Sequence, residues 1–445
     1  MGSFRFFEDA VDGALGIDLG VAPEIWLFVT LLGCLTIFFK FSRFWSVRNL
    51  DLLLLFALAP GMMMLIGGGN TRPWIAYLWL FVGTLCWLLR CLIDVGLTRR
   101  PLLEPNLNAS GLACLSFGIL GLLVVETISL PVDEGTARNP ANSKRDRPTE
   151  PPPPGSTDTN APVNQMIRNA PLPPSLKANR SEVVLSRMIS TCALLGIVLG
   201  LIVIGWRHFE RPVAGLAAAT CYVLLPYPRF ALDDNGQLVP AALIVASLVW
   251  YSRPAVAGAL IGLASGWMPA CLGLVALWTG FYWKRGAWKF LTVAIGIIAA
   301  CVVVGRFLPD TSLWARALQA RSLAEAGLLP TADAPLSGSF WSGIDPSYRL
   351  PILIAYVALV VATSFWPANK NLGELIALSA ALLVASQLWY MAAGGTLVIL
   401  YLPLVILMVF RPNLVGKRAW LRTPSSAPRR DSKEFALKAA ESEIS

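Results

Sequence analysis

Side chains able to do chemistry are scarce in this chain, and they concentrate in a few short stretches between long apolar runs. The segment "RFALDDNGQLVPAAL" sets Asp233, Asp234, Asn235 and Gln237 around a single glycine at the entrance to an apolar run. Asp, Asn and Gly are what a tight polar turn requires. Asn235 and Gln237 also offer paired amide donors and acceptors that suit a polyhydroxy ligand. Adjacent carboxylates, Asp133 and Glu134, stand in "SLPVDEGTARN", just past another apolar run. The stretch "SGSFWSGIDPSYR" combines Trp341, Asp345 and Arg349. An indole, a carboxylate and a guanidinium can together stack on a sugar or hold a phosphate; a structured loop without a ligand accounts for them equally. Glu126 and Arg187 each lie about one turn inside an apolar run, where an interhelical ion pair is the simplest expectation.

Other chemistries find little support. The eight cysteines all fall within apolar segments, with no CxxC pair and no His/Cys ligand spacing, so neither a disulfide framework nor a metal site is indicated. They read as small buried hydrophobes. The one histidine, His208 in "GWRHFER", fits a contact at the end of a span better than catalysis. A net charge of +9 raises the question of nucleic acid. The basic residues, however, sit in short loops between apolar runs and form no stripe with interleaved aromatics, so nucleic-acid binding is not expected.

The elements that must position these groups are membrane helices. Only 14% of the residues are charged and 56% are hydrophobic, against about 25% charged in an ordinary soluble domain, and the mean hydropathy is +0.61. Apolar runs near twenty residues recur, the length that crosses a bilayer as a helix. The expected fold is an all-α polytopic membrane protein with about thirteen transmembrane helices, two of them short.

Charge orients them. Spans near 21–40, 51–68, 74–93 and 108–130 precede a long segment, 131–182; spans near 183–206 and 212–231, and a return to "YSRP", follow it. The stretch 254–283 has basic flanks on both sides, which demands an even number of passes; two short helices broken around "SGWMP" at Pro269 satisfy this. Spans near 287–307, 351–366, 372–390 and 396–410 complete the set. Every short basic loop then falls on one side, placing the N-terminus outside and the C-terminus in the cytoplasm of a cell-membrane protein. Arg90 and Asp94 lie one turn apart at the cytoplasmic end of the third span, an i,i+4 pair facing the headgroups. Gly196/Gly200, Gly258/Gly262 and Gly262/Gly266 are spaced for close helix contact.

Five regions follow: an external segment 1–20, N-terminal helices 21–130, a proline-rich external loop 131–182, the main helical region 183–410 with an external loop 308–350, and a cytoplasmic tail 411–445. The acidic N-terminus lacks the order of a signal peptide, so the first span is expected to serve as an uncleaved anchor. The 131–182 loop is too poor in apolar residues to form a core. In 308–350, Leu313, Trp314, Ala317, Leu318 and Leu323 recur at helical spacing with Arg316 and Arg321 between them, the pattern of an amphipathic helix on the outer leaflet.

Across "ERPVAGLAAATCYVLLPYPRFALDDNGQLVPAALIVASLVWYSRPAVAGALIGLASGWMPACLGLVALW" the order of elements resembles the central region of GT-C membrane glycosyltransferases, closest to the polyprenol-phosphate-mannose-dependent mannosyltransferases. The matching elements are Pro226 or Pro228 at a span end, Gly236–Gln237 opening the next span, Arg253 in the following turn, and the glycine-rich run Gly258 to Gly266. The resemblance implies a GT-C-like fold and inverting transfer from a lipid-phosphate sugar at the outer face, with no other cofactor. It also implies a general base in the first large external loop, which corresponds to Asp133 with Glu134 beside it. A carboxylate there withdraws the acceptor proton as the lipid phosphate leaves, and Arg187 or Arg349 stabilises the departing phosphate. Asp233, Asp234, Asn235, Gln237, Trp341 and Asp345 would line the substrate. Three features depart from the pattern. Gly266-Trp267-Met268-Pro269 stands where many relatives carry a lysine, three extra spans precede the core, and the Asp133 position runs straight into the proline-rich tract rather than a folded segment. The alternative is a non-catalytic membrane component with the same fold; a transporter is disfavoured because no inverted repeat is visible. The expected partners are membrane lipids and a lipid-linked sugar.

Overall fold

The computed structural model describes residues 23–41, 44–66, 73–97, 103–129, 180–232, 235–284, 286–307, 340–341, 346–390, 394–412 and 414. Among them the architecture is wholly helical, without a strand. In chain order the helices are α1 (Pro23–Phe38), α2 (Val47–Phe56), α3 (Ala59–Ile66), α4 (Pro73–Gly96), α5 (Ala109–Ser129), α6 (Arg180–Arg207), α7 (Pro212–Leu224), α8 (Tyr227–Phe230), α9 (Asn235–Val249), α10 (Pro254–Trp267), α11 (Leu272–Phe281), α12 (Ala287–Phe307), α13 (Arg349–Phe365), α14 (Leu372–Trp389) and α15 (Val398–Phe410). Six helical stretches are long and apolar enough to cross a membrane: 47–65 (α2 with α3), α4, α5, α6, α12 and α14. Seven shorter apolar helices accompany them. This is the make-up of an α-helical membrane protein. The proline-rich loop up to residue 179, the amphipathic stretch expected within 308–350 and the tail beyond 414 lie outside the described residues; the last three residues of the expected 131–182 loop instead begin α6.

Local sequence sets the helix ends. Proline occupies the first turn of α7 and α10, where its missing N–H costs nothing. Ser46 caps α2, and Asn371 with Glu374 forms a reciprocal capping box at the start of α14. Between α2 and α3 the chain turns at Ala57–Leu58, just ahead of Pro60. The carbonyls loosened there are recovered by neighbours: Trp79 Nε1 donates to Ala57 O at 2.6 Å, and the Tyr227 hydroxyl to Leu55 O at 2.6 Å. A break inside an apolar span requires such replacement partners.

The core is built on two helices that are apolar on every face. Almost the whole of α14 and all of α15 are buried, as expected for helices hydrophobic all round. α14 packs against α4, α11, α13 and α15; α15 packs in turn against α7 and α9. Lipid tails are as apolar as leucine, so association in a bilayer relies on close packing and hydrogen bonds rather than on exclusion of water. The glycines supply the packing. A Cβ placed on Gly258, Gly262 or Gly266 would meet Phe290 O at 2.6 Å, Ala294 O at 2.7 Å and Cys301 Cβ at 2.6 Å. Three contacts advancing in the same direction make α10 and α12 a parallel pair. Gly200 likewise admits Val245 of α9, and Gly205 lies on the backbone of Gly215 in α7.

A parallel α10–α12 pair requires α11 to return between them, and it does. α10 ends at Trp267, a 3₁₀ turn covers Pro269–Cys271, and α11 runs back. The two feet of this hairpin meet: the Tyr282 hydroxyl donates to Tyr251 O, and Gly286 packs on Pro254. The break expected at Pro269 is therefore present. At 1.5 Å per residue, α10 is about 21 Å long and α11 shorter, against about 30 Å of hydrocarbon.

Candidate functional site

One end of the bundle gathers polar side chains from α5, α6, α8, α9 and the loop between α14 and α15. Glu126, in the last turn of α5, is held by Arg229 of α8, whose Nε lies 2.8 and 3.0 Å from the two carboxylate oxygens. The Arg229 guanidinium also stacks over Trp26 at 4.9 Å from the ring centroid. The ion pair of Glu126 is thus made with Arg229, where the sequence suggested Arg187. The reason is local: α8 is a single turn with Pro226 just ahead of it and Pro228 in it, and this turn presents Arg229 to α5. Arg187 is half-buried on α6, in the turn that contacts Asn235.

Asn235 opens α9 and clips it to α6. Its Oδ1 accepts from Ser190 Oγ at 2.5 Å, and its Nδ2 donates to Ser186 O at 3.1 Å and to Ser186 Oγ at 2.5 Å. Two residues on, buried Gln237 donates from Nε2 to Thr396 O at 3.4 Å. Thr396 belongs to the loop that links α14 to α15. That loop needs Gly395, whose φ is +97° and whose missing side chain leaves room for the Phe340 ring at 2.4 Å from an added Cβ. Next to Phe340, Trp341 donates Nε1 to Leu388 O at 3.0 Å. Arg349 reaches Trp389 O through Nε at 3.0 Å and Nη2 at 2.6 Å. Trp341 and Arg349 therefore come together on the final carbonyls of α14, which have no intrahelical partner and attract a cation.

Asn235 and Gln237 thus sit at one helix entrance, Arg187 beside the first of them, and Trp341 with Arg349 across the 394–396 loop. Asp133, Glu134, Asp233, Asp234 and Asp345 lie outside the described residues. Arg229 carries no signal of its own in the sequence: a single arginine at a span end beside an acidic turn reads as an ordinary flanking charge. The sequence reading also missed Gln387, a lone amide in an otherwise apolar α14. Gln387 is fully buried, faces the Tyr401 hydroxyl and makes no hydrogen bond of normal geometry among the described residues.

The opposite end holds a buried network of charges. Arg90 on α4 grips Asp51 of α2 through Nε at 2.5 Å and Nη2 at 2.7 Å, and donates from Nη1 to Asp94 at 3.0 Å. Arg411, just past α15, donates Nη2 to the other Asp94 oxygen at 2.5 Å. The i,i+4 pair expected from sequence is present, but as the middle of a four-residue chain with Asp94 and Arg411 at 1 and 4% side-chain exposure rather than facing the headgroups. Nearby, Arg48 donates to Phe38 O and Glu104 O, tying the first two basic loops together. Lys370, between α13 and α14, is buried and donates Nζ to Ser364 O and Pro367 O; burial lowers its pKa to about 8. No group of three His, Cys, Asp or Glu able to hold a metal is found among the described residues.

The comparisons with known proteins add no relative to this geometry: no family model matches the chain, and no curated protein and no solved structure matches it either.

Proposed function

We propose that this chain is a GT-C-like membrane glycosyltransferase of thirteen crossings that transfers a sugar from a polyprenyl-phosphate donor to an envelope acceptor at the outer face. The observation that carries the reading is the polar layer at the Glu126–Arg229 end. It joins α5, α6, α8, α9 and the 394–396 loop, and the chain leaves α5 at Ser129, a few residues before Asp133. Contacts between segments of like assigned side support the alternation of crossings: Arg48 with Glu104 and Arg411 with Asp94 at one end, Glu126 with Arg229 and Phe340 with Gly394 at the other. With basic loops inside, the N-terminus is external and the C-terminus cytoplasmic.

In this reaction an acceptor hydroxyl attacks the anomeric carbon and gives its proton to Asp133, with Glu134 alongside. The bond from that carbon to the lipid phosphate breaks, and the phosphate departs as an anion. Arg187, half-buried on α6 next to Ser186, which bonds Asn235, is assigned to meet it, with Arg349 as the second cation at this end. Asn235, Gln237 and the acidic turn Asp233–Asp234 frame the sugar. The test is transfer of labelled sugar from polyprenyl-phosphate donors by the purified protein, compared with Asp133→Asn. Loss of transfer by at least a hundredfold in a folded variant is the expected outcome; equal transfer by both removes the base.

A second reading, a non-catalytic membrane component, is favoured by one specific observation. Asn235, Trp341 and Arg349 spend hydrogen-bonding capacity on neighbouring helices, and Gln237 spends it on the 394–396 loop. Absence of transfer from a panel of donors by a folded wild-type protein selects it.

A further inference from the structure

At the end opposite the Glu126–Arg229 layer, α6 finishes at Arg207 and α9 turns into α10 through Trp250–Arg253. The guanidinium carbons of Arg207 and Arg253 lie 5.7 and 5.0 Å from the centroid of one and the same Trp250 ring. Two cations within reach of a single ring are at most about 11 Å apart, so one lipid headgroup at that ring can reach both, its phosphate on one arginine and its ester or hydroxyl oxygens on the other. Both arginines are exposed, and neither has an ion-pair partner among the described residues; Glu210, on the same turn, is itself engaged. The base beneath them is firm. His208 Nε2 lies 3.0 Å from Val249 O, its ring meets Tyr251 edge-on, and the Tyr282 hydroxyl bonds Tyr251 O. Two like charges at one ring favour an anionic ligand over a neutral or zwitterionic one.

The surroundings identify the anion. Trp206, Trp283 and Trp288 cluster at this end with 68, 71 and 76% of their surface exposed. Indoles gathered on one end of a membrane bundle lie at headgroup depth, and Lys289 adds positive charge there. We propose that Arg207, Trp250 and Arg253 form a clamp for the phosphate of an anionic membrane phospholipid. Basic residues held at headgroup depth attract such headgroups. This site is independent of the glycosyl-transfer reading and lies at the other end of the bundle.

The experiment offers the purified full-length protein an equimolar mixture of phosphatidylglycerol and phosphatidylcholine with matched chains, and counts retained lipids by native mass spectrometry. Wild type is expected to enrich phosphatidylglycerol. Arg207→Gln or Arg253→Gln should each lower the enrichment about fivefold, and the double variant roughly 25-fold. Arg207→Lys, which keeps the charge, should retain most of it. No enrichment by wild type, or the same enrichment in the folded double variant, overturns the proposal. Displacement of phosphatidylglycerol by millimolar glycerol phosphate overturns it too, by assigning the clamp to a soluble anion. The wild-type arms need no variant, so poor folding of the double variant does not shield the idea.

Discussion

Removing Arg411 should be among the most damaging single changes to this bundle. Its guanidinium reaches Asp94 at 2.5 Å with both groups nearly inaccessible, at 4 and 1% exposure. Among the described residues the network of Asp51, Arg90, Asp94 and Arg411 carries two charges of each sign. Arg411→Met keeps the length and apolar stem but removes one of two arginines bonded to Asp94; the other, Arg90, holds Asp51 through two bonds and Asp94 through one of 3.0 Å. Breaking one partner from a buried ion pair costs about 3–5 kcal/mol; because Asp94 keeps Arg90, the lower end, about 3 kcal/mol, is expected. Asp94→Asn in the Arg411→Met background should recover much of the loss by restoring charge balance. A third change probes the same contact. A Cβ on Gly373 would stand 1.7 Å from Arg411 Nη1, so Gly373→Ala must push Arg411 off Asp94, and its cost should shrink once Arg411 is methionine. The assay is reversible unfolding by sodium dodecyl sulfate in mixed micelles, read by tryptophan fluorescence, on all members of the cycle. A cost below about 1 kcal/mol for Arg411→Met, or strict additivity of Gly373→Ala with it, would refute the reasoning.

Three further outcomes follow from the same structure. Gly262→Val should cost about 1–3 kcal/mol in that assay, because a side chain meets Ala294 O at 2.7 Å and overpacking forces the backbones apart; an unchanged midpoint would mean that α10 and α12 are not in contact. Lys370 has a folded-state pKa of about 8, below its ordinary 10.5, so the unfolded chain binds more protons between these values. Stability should therefore rise with pH across that window and be level below it, and Lys370→Met should flatten the rise; an equal slope in both proteins disproves the assignment. Gln387 buries an amide without a hydrogen bond of normal geometry among the described residues, so Gln387→Leu should leave stability unchanged or raise it by about 1 kcal/mol. A loss above about 2 kcal/mol would show that the amide is satisfied in the folded protein.

What the sequence determined by itself is one-dimensional. Apolar length marked the helices, proline marked some of their ends, and the basic flanks of 254–283 forced an even number of passes with a break at Pro269. Each depends on neighbours in the chain or on the bilayer, whose thickness is known beforehand. The glycine spacing at Gly258, Gly262 and Gly266 announced a close contact for the same reason, but not that α12 would fill it in parallel. Partner choice was beyond reach. Glu126 is paired with Arg229, not Arg187, because the single turn of α8 presents Arg229 to α5, and the direction of such a turn is set by packing. Asp94 gained Arg411 from 317 positions away, a meeting that exists only once α4, α14 and α15 have been assembled. Trp341 and Arg349 stood out in sequence as a sugar or phosphate set; the fold brings them together on the unpaired carbonyls at the end of α14. Polar groups in an apolar medium must find partners wherever the tertiary structure supplies them. Their chemistry is written in the chain, and their company is decided in three dimensions.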